Sequence, residues 1–274
     1  MPWRITVLGE DPRQYWVAKG LVAAGHRVSV YGVPILEDTR PTLAEAVAEA
    51  QVLVLPMPAA DKNGLVRLAT GRSFPAERLW PLLTDGTQVF GGLLPEGIPE
   101  GLAAIDYGKS EAVAIRNAVP TAEGAIQRAM EQLPITLWQS RCLIIGFGRI
   151  GTALAQRLQG LGAQVTVAVR KAADHARAAA MGFASDQTGV YRRGLGEYDC
   201  IFNTVPAMVL PESQLRRTRP DCLLVDLASR PGGLDYDACA RLPRQTLHAL
   251  SLPGQVAPAT AGRIIRDYIL EQLE

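Results

Sequence analysis

Two α/β domains, each a parallel sheet covered by helices, are what the sequence predicts, and three observations carry that prediction. Short apolar runs alternate with amphipathic stretches along the chain, the pattern of β-α-β units. In Cys142-Leu-Ile-Ile-Gly146-Phe-Gly148-Arg-Ile-Gly151 one such run passes through a glycine-rich turn straight into a helix. A helical segment bounded by prolines, residues 118–134, separates the two halves, and 274 residues suffice for two ordinary cores.

The first domain, residues 1–117, opens with a strand at 4–8, a loop at 9–14, a helix at 15–24 and a strand at 27–31. Further strands are predicted at 51–55, 88–90 and 103–105, with helices at 43–50 and 64–70, a flavodoxin-like alternation. Ligands of such open sheets sit beyond the carboxyl ends of the strands, so the loops 9–14, 56–61 and 91–97 face a candidate cleft. Asn117 begins the interdomain helix, with Pro120 and Thr121 as its start signals and Pro134 as its stop.

The second domain, residues 135–256, is predicted to be Rossmann-like. The strand 142–145, helix 152–160 and strand 164–169 form a β-α-β unit, followed by strands at 199–203, 223–226 and 246–249. Residues 257–274 supply a last helix. Its apolar positions Ile264, Ile265, Ile269 and Leu273 recur at helical spacing, so it is expected to pack back on the first domain.

Composition excludes several classes of function. With 48% hydrophobic and 20% charged residues the chain has no signature of disorder, and its scattered charges, net +1, form neither a nucleic-acid footprint nor an acidic tail. No signal-peptide pattern and no apolar stretch of membrane-spanning length is seen, so a cytoplasmic protein with a small-molecule ligand is expected. Cys142, Cys200, Cys222 and Cys239 form no CxxC pair and read as reduced core residues. His26, His175 and His248 lack neighbours at metal-ligand spacing, and no metal site is predicted.

The glycine turn is a candidate dinucleotide site. Gly146 permits the tight turn, Gly148 lets backbone approach a pyrophosphate, and Gly151 lets the helix pack on the sheet; Arg149 and Ile150 complete its N-terminus. An NAD site usually places Asp or Glu after the second strand, to accept bonds from the ribose hydroxyl. This chain has Arg170 and Lys171 there, two cations suited to a 2′-phosphate, so NADP(H) is expected as cofactor. Three strand-end segments should surround the nicotinamide: Asn203, Thr204, Val205 and Pro206; Asp226, Leu227, Ala228, Ser229 and Arg230 with the Pro-Gly-Gly that follows; and residues 252–258. Ser229 and Arg230 place a hydroxyl and a guanidinium on a stiff turn, as a carboxylate clamp requires. Asp226 either orients that clamp or caps the turn after its strand.

Several segments together carry a family likeness: the loop 9–14 with Asp11, Arg13 and Gln14, Val119-Pro-Thr-Ala-Glu123-Gly, the glycine turn, Asn203-Thr-Val-Pro206, Asp226-Leu-Ala-Ser-Arg-Pro-Gly-Gly233 and Leu252-Pro-Gly-Gln-Val-Ala-Pro258. On these the chain resembles the A-subunit family of dipicolinate synthase over almost its whole length, least between residues 32 and 116. The resemblance implies an NADP-dependent oxidation, with loss of water, of a cyclic tetrahydro- or dihydrodipicolinate to pyridine-2,6-dicarboxylate in the mother cell of a sporulating bacterium. Its implied partner is a flavoprotein-like B subunit, and a homo-oligomer is expected. Where the family has Arg and then a small hydroxyl residue at the adenosine-phosphate position, this chain has Arg170 and Lys171.

On that reading Arg230 and Ser229 bind one carboxylate, and Arg13, or the N–H groups of Thr121 and Ala122, bind the other. Glu123 is the candidate for proton transfer, although a helix-start cap would also explain it. Two rivals stand beside this one. A D-2-hydroxyacid dehydrogenase shares the domain plan but needs a histidine paired with a carboxylate, and His248 shows no such partner in sequence. A non-catalytic NADPH-binding sensor or scaffold would need no acid–base pair.

Overall fold

The computed structural model describes residues 1–274 and divides into two compact units, Met1–Asn117 with Pro253–Glu274, and Ala118–Leu252. In the first, β1 (Arg4–Leu8), α1 (Pro12–Ala23), β2 (Arg27–Tyr31), α2 (Leu43–Val47) and β3 (Val52–Val54) precede a hairpin of β4 (Leu65–Arg67) and β5 (Ser73–Pro75), then β6 (Gln88–Gly91) and β7 (Ala103–Asp106). The sheet is entirely parallel, in the order β2-β1-β3-β6-β7. Val52, Leu53 and Val54 are all buried, as expected of a central strand covered on both faces.

Two elements of this unit differ from the sequence expectation. α1 begins at Pro12 rather than residue 15, because the Asp11 carboxylate caps it by accepting the Arg13 N–H at 2.9 Å and Pro12 is preorganised for the first turn. The helix expected at 64–70 is the β4–β5 hairpin. Asp61 accepts the N–H groups of Asn63 (2.8 Å) and Leu65 (3.1 Å), which bends the chain before a helix can start. The paired residues Val66 and Phe74 are then buried across the hairpin.

The long helix α3 (Glu111–Gln132) crosses the boundary between the units. It starts at Ser110, whose carbonyl accepts the Ala114 N–H at 3.0 Å, and not at Asn117 as the proline suggests. Pro120 lies inside it. A proline costs the helix only one hydrogen bond and a local kink when the flanking turns are packed; here Ala118, Ala122 and Ala125 are buried.

The second unit continues with β8 (Arg141–Ile145), α4 (Arg149–Gly160), β9 (Gln164–Val169), α5 (Ala172–Ala180), β10 (Ala184–Gln187), β11 (Cys200–Asn203), α6 (Glu212–Leu215), β12 (Leu223–Asp226), α7 (Tyr236–Arg241) and β13 (Gln245–His248). All six strands are parallel, in the order β10-β9-β8-β11-β12-β13, which is the 3-2-1-4-5-6 order of the dinucleotide-binding fold. The edge strand β10 escapes periodicity because Ala-Ser-Asp-Gln has no apolar run. All four cysteines are free and buried, and burial pushes the Cys142 thiol up to about 11 and that of Cys222 to about 12. No helix is long and apolar enough to cross a membrane.

The chain then forms a short helix, α8 (Leu252–Val256), where the sequence predicts only a loop, and ends in α9 (Pro258–Leu273). α9 belongs to the first unit, where Ile264, Ile265 and Ile269 share one buried cluster with Val17 and Leu21 of α1. Each fully buried Ile contributes about 1.5–3 kcal/mol relative to an exposed one, so this return is a large part of the first unit's core.

Candidate functional site

In a sheet of order 3-2-1-4-5-6 the strand order reverses between β8 and β11, and the loops after those two strands flank the resulting crevice. β8 ends at Ile145, and Gly146 turns the chain at φ 96° while its N–H bonds the Ala168 carbonyl of β9 at 2.9 Å. A Cβ at Gly146 would collide with Thr204 and Val205 in the loop after β11, and a Cβ at Gly151 would fall on the carbonyl oxygen of Gly146. Gly148 is different: a Cβ there would meet nothing within 4 Å. The first helical bond of α4 is from the Thr152 N–H to the Gly148 carbonyl at 2.9 Å, and no side chain caps the helix. The crowded glycines close the turn, while the open one and the uncapped helix start leave backbone N–H groups for an anion, as a pyrophosphate requires.

Arg170 follows β9 directly and Lys171 stands at the N-cap of α5; both side chains are exposed, and neither is paired with a carboxylate. They lie beyond the carboxyl end of the strand next to β8, on the side of the sheet edge where a dinucleotide's adenosine half belongs.

Asn203, Asp226 and His248 are register partners on β11, β12 and β13 and so form a row along the carboxyl edge. Asp226 is fully buried and accepts four hydrogen bonds: from Asn203 Nδ2 (2.8 Å) and the Ala228 N–H (3.0 Å) on Oδ1, and from the Gly233 N–H (2.8 Å) and the Tyr236 hydroxyl (2.8 Å) on Oδ2. Of the two roles open in the sequence, Asp226 thus takes that of the post holding the loop. It presents no free carboxylate for proton transfer. Burial, and then donation to Asp226, raise the Tyr236 hydroxyl above its usual value, which keeps it protonated.

Leu227 and Ala228 are buried, and their polar backbone atoms are engaged: the Leu227 N–H bonds the Asn203 carbonyl at 2.8 Å, and the Ala228 carbonyl meets His248 Nε2 at 2.8 Å. Asn203 is likewise internal to the site, bonding Asp226 and both polar backbone atoms of Val205. The Thr204 hydroxyl donates to the Ile145 carbonyl at 3.0 Å. These residues shape the crevice wall, whereas Ser229 and Arg230 are exposed on the loop that Asp226 anchors. Sequence reasoning misses Tyr236, which stacks on His248 with ring centroids 5.2 Å apart. The signal is its position at the start of a helix just beyond Pro-Gly-Gly, too weak without the fold. His248 meets a carbonyl and an aromatic ring, not the carboxylate that a dehydrogenase acid–base pair needs.

Three substrate-side expectations are corrected. Arg13 is buried, its Nε bonds both oxygens of Asp11 (2.9 and 3.0 Å), and its Nη2 donates to Asp11 and to the Met57 carbonyl (2.6 Å). Burial opposes its charge, but Asp11 outweighs this and holds the guanidinium above its ordinary value, so Arg13 is a structural strut joining the loops after β1 and β3. Thr121 and Ala122 lie in the body of α3, where N–H groups bond carbonyls one turn back and cannot face a ligand. Glu123 is no helix-start cap either; its exposed carboxylate accepts Arg157 Nε of α4 at 3.2 Å.

Known proteins agree with this architecture. Residues 4–104 match the family model of the dipicolinate synthase A-subunit N-terminal domain, and residues 113–238 match that of the D-isomer specific 2-hydroxyacid dehydrogenase, NAD binding domain. The dipicolinate synthase A-subunit of Bacillus subtilis is 37% identical over 161 residues, 59% of this chain and 54% of the relative, so the match spans about half of that protein. The crystal structure of the dipicolinate synthase A-subunit from Bacillus halodurans superposes with a TM-score of 0.90 at 26% identity, covering 99% of this chain and 97% of that one. Its Bacillus subtilis counterpart gives 0.87 at 26% identity, covering 100% and 96%. A transhydrogenase from Sinorhizobium meliloti, 16% identical, shares the fold with a TM-score of 0.73 over 98% of this chain and 93% of that one.

Proposed function

We propose, for a chain that belongs to the dipicolinate synthase A-subunit family, that it couples loss of water from a hydroxylated cyclic tetrahydrodipicolinate to transfer of one hydride onto NADP⁺, with release of one proton, giving pyridine-2,6-dicarboxylate. The observation that carries this reading is the Asp226 loop, which presents an exposed Ser229 and Arg230 beside a dinucleotide turn and anchors them with four hydrogen bonds to one buried carboxylate. The nicotinamide supplies a hydride acceptor when bound. Arg230 binds a ring carboxylate in a bidentate pair and Ser229 donates to it, which fixes the ring plane. Aromatisation drives the oxidation, so the protein's task is chiefly orientation. The decisive experiment measures dipicolinate and NADPH binding separately in Arg230→Lys. Dipicolinate affinity is expected to fall about tenfold or more, as for a lost bidentate contact, with NADPH unchanged. Parallel losses, or none, would remove Arg230 from the substrate site.

The preference for NADP(H) over NAD(H) rests on Arg170 and Lys171 and on the absence of an acidic residue at that strand end. Loss of a charge-assisted contact costs about 1.5–3 kcal/mol, so Arg170→Ala should weaken NADP(H) roughly ten- to a hundredfold and leave NAD(H) almost untouched. Calorimetry with both cofactors checks this; an unaltered preference argues against it.

The partner in this proposal is a flavoprotein-like B subunit, because no histidine–carboxylate pair is formed in the second unit. Synthesis of dipicolinate by the chain alone, from freshly generated substrate, is expected to be slow and to rise when the B subunit is added. Equal turnover in both assays would make the chain an autonomous dehydrogenase. No turnover with the B subunit present, despite NADPH binding, would favour a sensor or scaffold.

A further inference from the structure

Arg177 of α5 reaches back to the glycine turn. Its Nη2 donates to the Phe147 carbonyl, its guanidinium lies over the Phe147 ring at 5.1 Å from the centroid, and Asp174 fixes it from one turn earlier at 3.0 Å. Phe147 is itself buried and packs edge-on against Phe183, at 5.9 Å between centroids. The same carbonyl also lies 3.4 Å from the Thr152 hydroxyl, so two side chains from two helices hold one peptide group.

That peptide group is the one joining Phe147 to Gly148, and a trans peptide points its carbonyl and its N–H in opposite directions. Holding the carbonyl against α5 turns the Gly148 N–H away from α5. Gly148 is also where the space beside the backbone is open and where α4 begins without a side-chain cap. We infer that Arg177 is a positioning residue that presets the glycine turn for a dinucleotide pyrophosphate, acting through the Phe147 carbonyl and not by touching the 2′-phosphate. This deepens the cofactor assignment above and rests on it. The energetic logic is preorganisation: a turn already aimed at the anion loses less conformational freedom on binding.

Two measurements test it, one of them without cofactor. Arg177→Met keeps an aliphatic stem over Phe147 but removes the donor and the charge, and Arg177→Lys restores one donor. In the apo protein, amide hydrogen exchange over residues 146–150 is expected to quicken in Arg177→Met and to slow again in Arg177→Lys, with exchange in the strands β8 and β9 unchanged. By calorimetry, Arg177→Met should weaken NADP(H) and NAD(H) by the same factor, about tenfold, and Arg177→Lys should recover part of it. Wild-type exchange in the turn, or a loss confined to NADP(H), would overturn the inference, the latter by making Arg177 a 2′-phosphate ligand. If the wild-type chain binds neither cofactor, the cofactor assignment itself fails, and the inference that rests on it is overturned with it, while the exchange result still reports whether Arg177 holds the turn.

Discussion

Gly151→Ala is expected to abolish dinucleotide binding by the second unit. The added methyl group falls on the carbonyl oxygen of Gly146, a backbone atom in a turn that is itself wedged against Thr204 and Val205. No flexible side chain is there to move aside, so α4 must slide away from β8 and take its first-turn N–H groups with it. Overpacking of this kind costs about 1–3 kcal/mol in stability. The functional loss is larger, because a misplacement of about 1 Å at a binding site can cost on the order of a hundredfold. Calorimetry with NADPH should show at least that decrease, and urea unfolding followed by tryptophan fluorescence and circular dichroism should show a chain that still folds. Retention of wild-type affinity would mean that α4 is not the pyrophosphate helix. Gly148→Ala is the matched control for crowding, since its methyl group meets open space, and any loss there reports a clash with the ligand alone.

Asp226→Asn should unravel the loop that carries Ser229 and Arg230. Each carboxylate oxygen accepts from two donors, so an amide nitrogen in either place faces two donors with a donor of its own. Leaving two buried donors unpaired costs about 2–5 kcal/mol, a large part of the stability of an ordinary domain. The expected result is a lower urea midpoint for the second unit and loss of dipicolinate binding. Tyr236→Phe removes one of the four bonds and should cost only about 1 kcal/mol, which makes the pair a graded test. An Asp226→Asn chain with the wild-type midpoint would show that the carboxylate does not hold the loop.

Residues with local signatures are legible without the fold. Gly146, Gly148 and Gly151 sit between an apolar strand and a helix, a spacing that follows from how a phosphate meets a helix start, and the structure puts them there. The parallel sheets are legible for the same kind of reason, since alternating apolar and amphipathic segments leave few other architectures. Local reading fails where two local signals compete. Pro120 reads as a helix start, but Ser110 and the buried alanines of α3 override it. Leu65–Arg67 carries no more apolar pattern than a short helix would, and Asp61 decides for a turn.

Charge is where folding adds most. In the sequence Arg13 and Arg230 both read as carboxylate ligands, and nothing marks Arg177. Folding buries Arg13 against Asp11 and Met57, leaves Arg230 exposed on an anchored loop, and lays Arg177 on the Phe147 carbonyl. Asp226 and Glu123 divide in the same way, one buried among four donors and the other exposed beside Arg157. Short-range propensity and periodicity are properties of neighbouring residues, so the order of residues already dictates the two sheets and the dinucleotide turn. What a charged side chain can do depends on desolvation and on partners brought from far along the chain, and these exist only once the chain has folded.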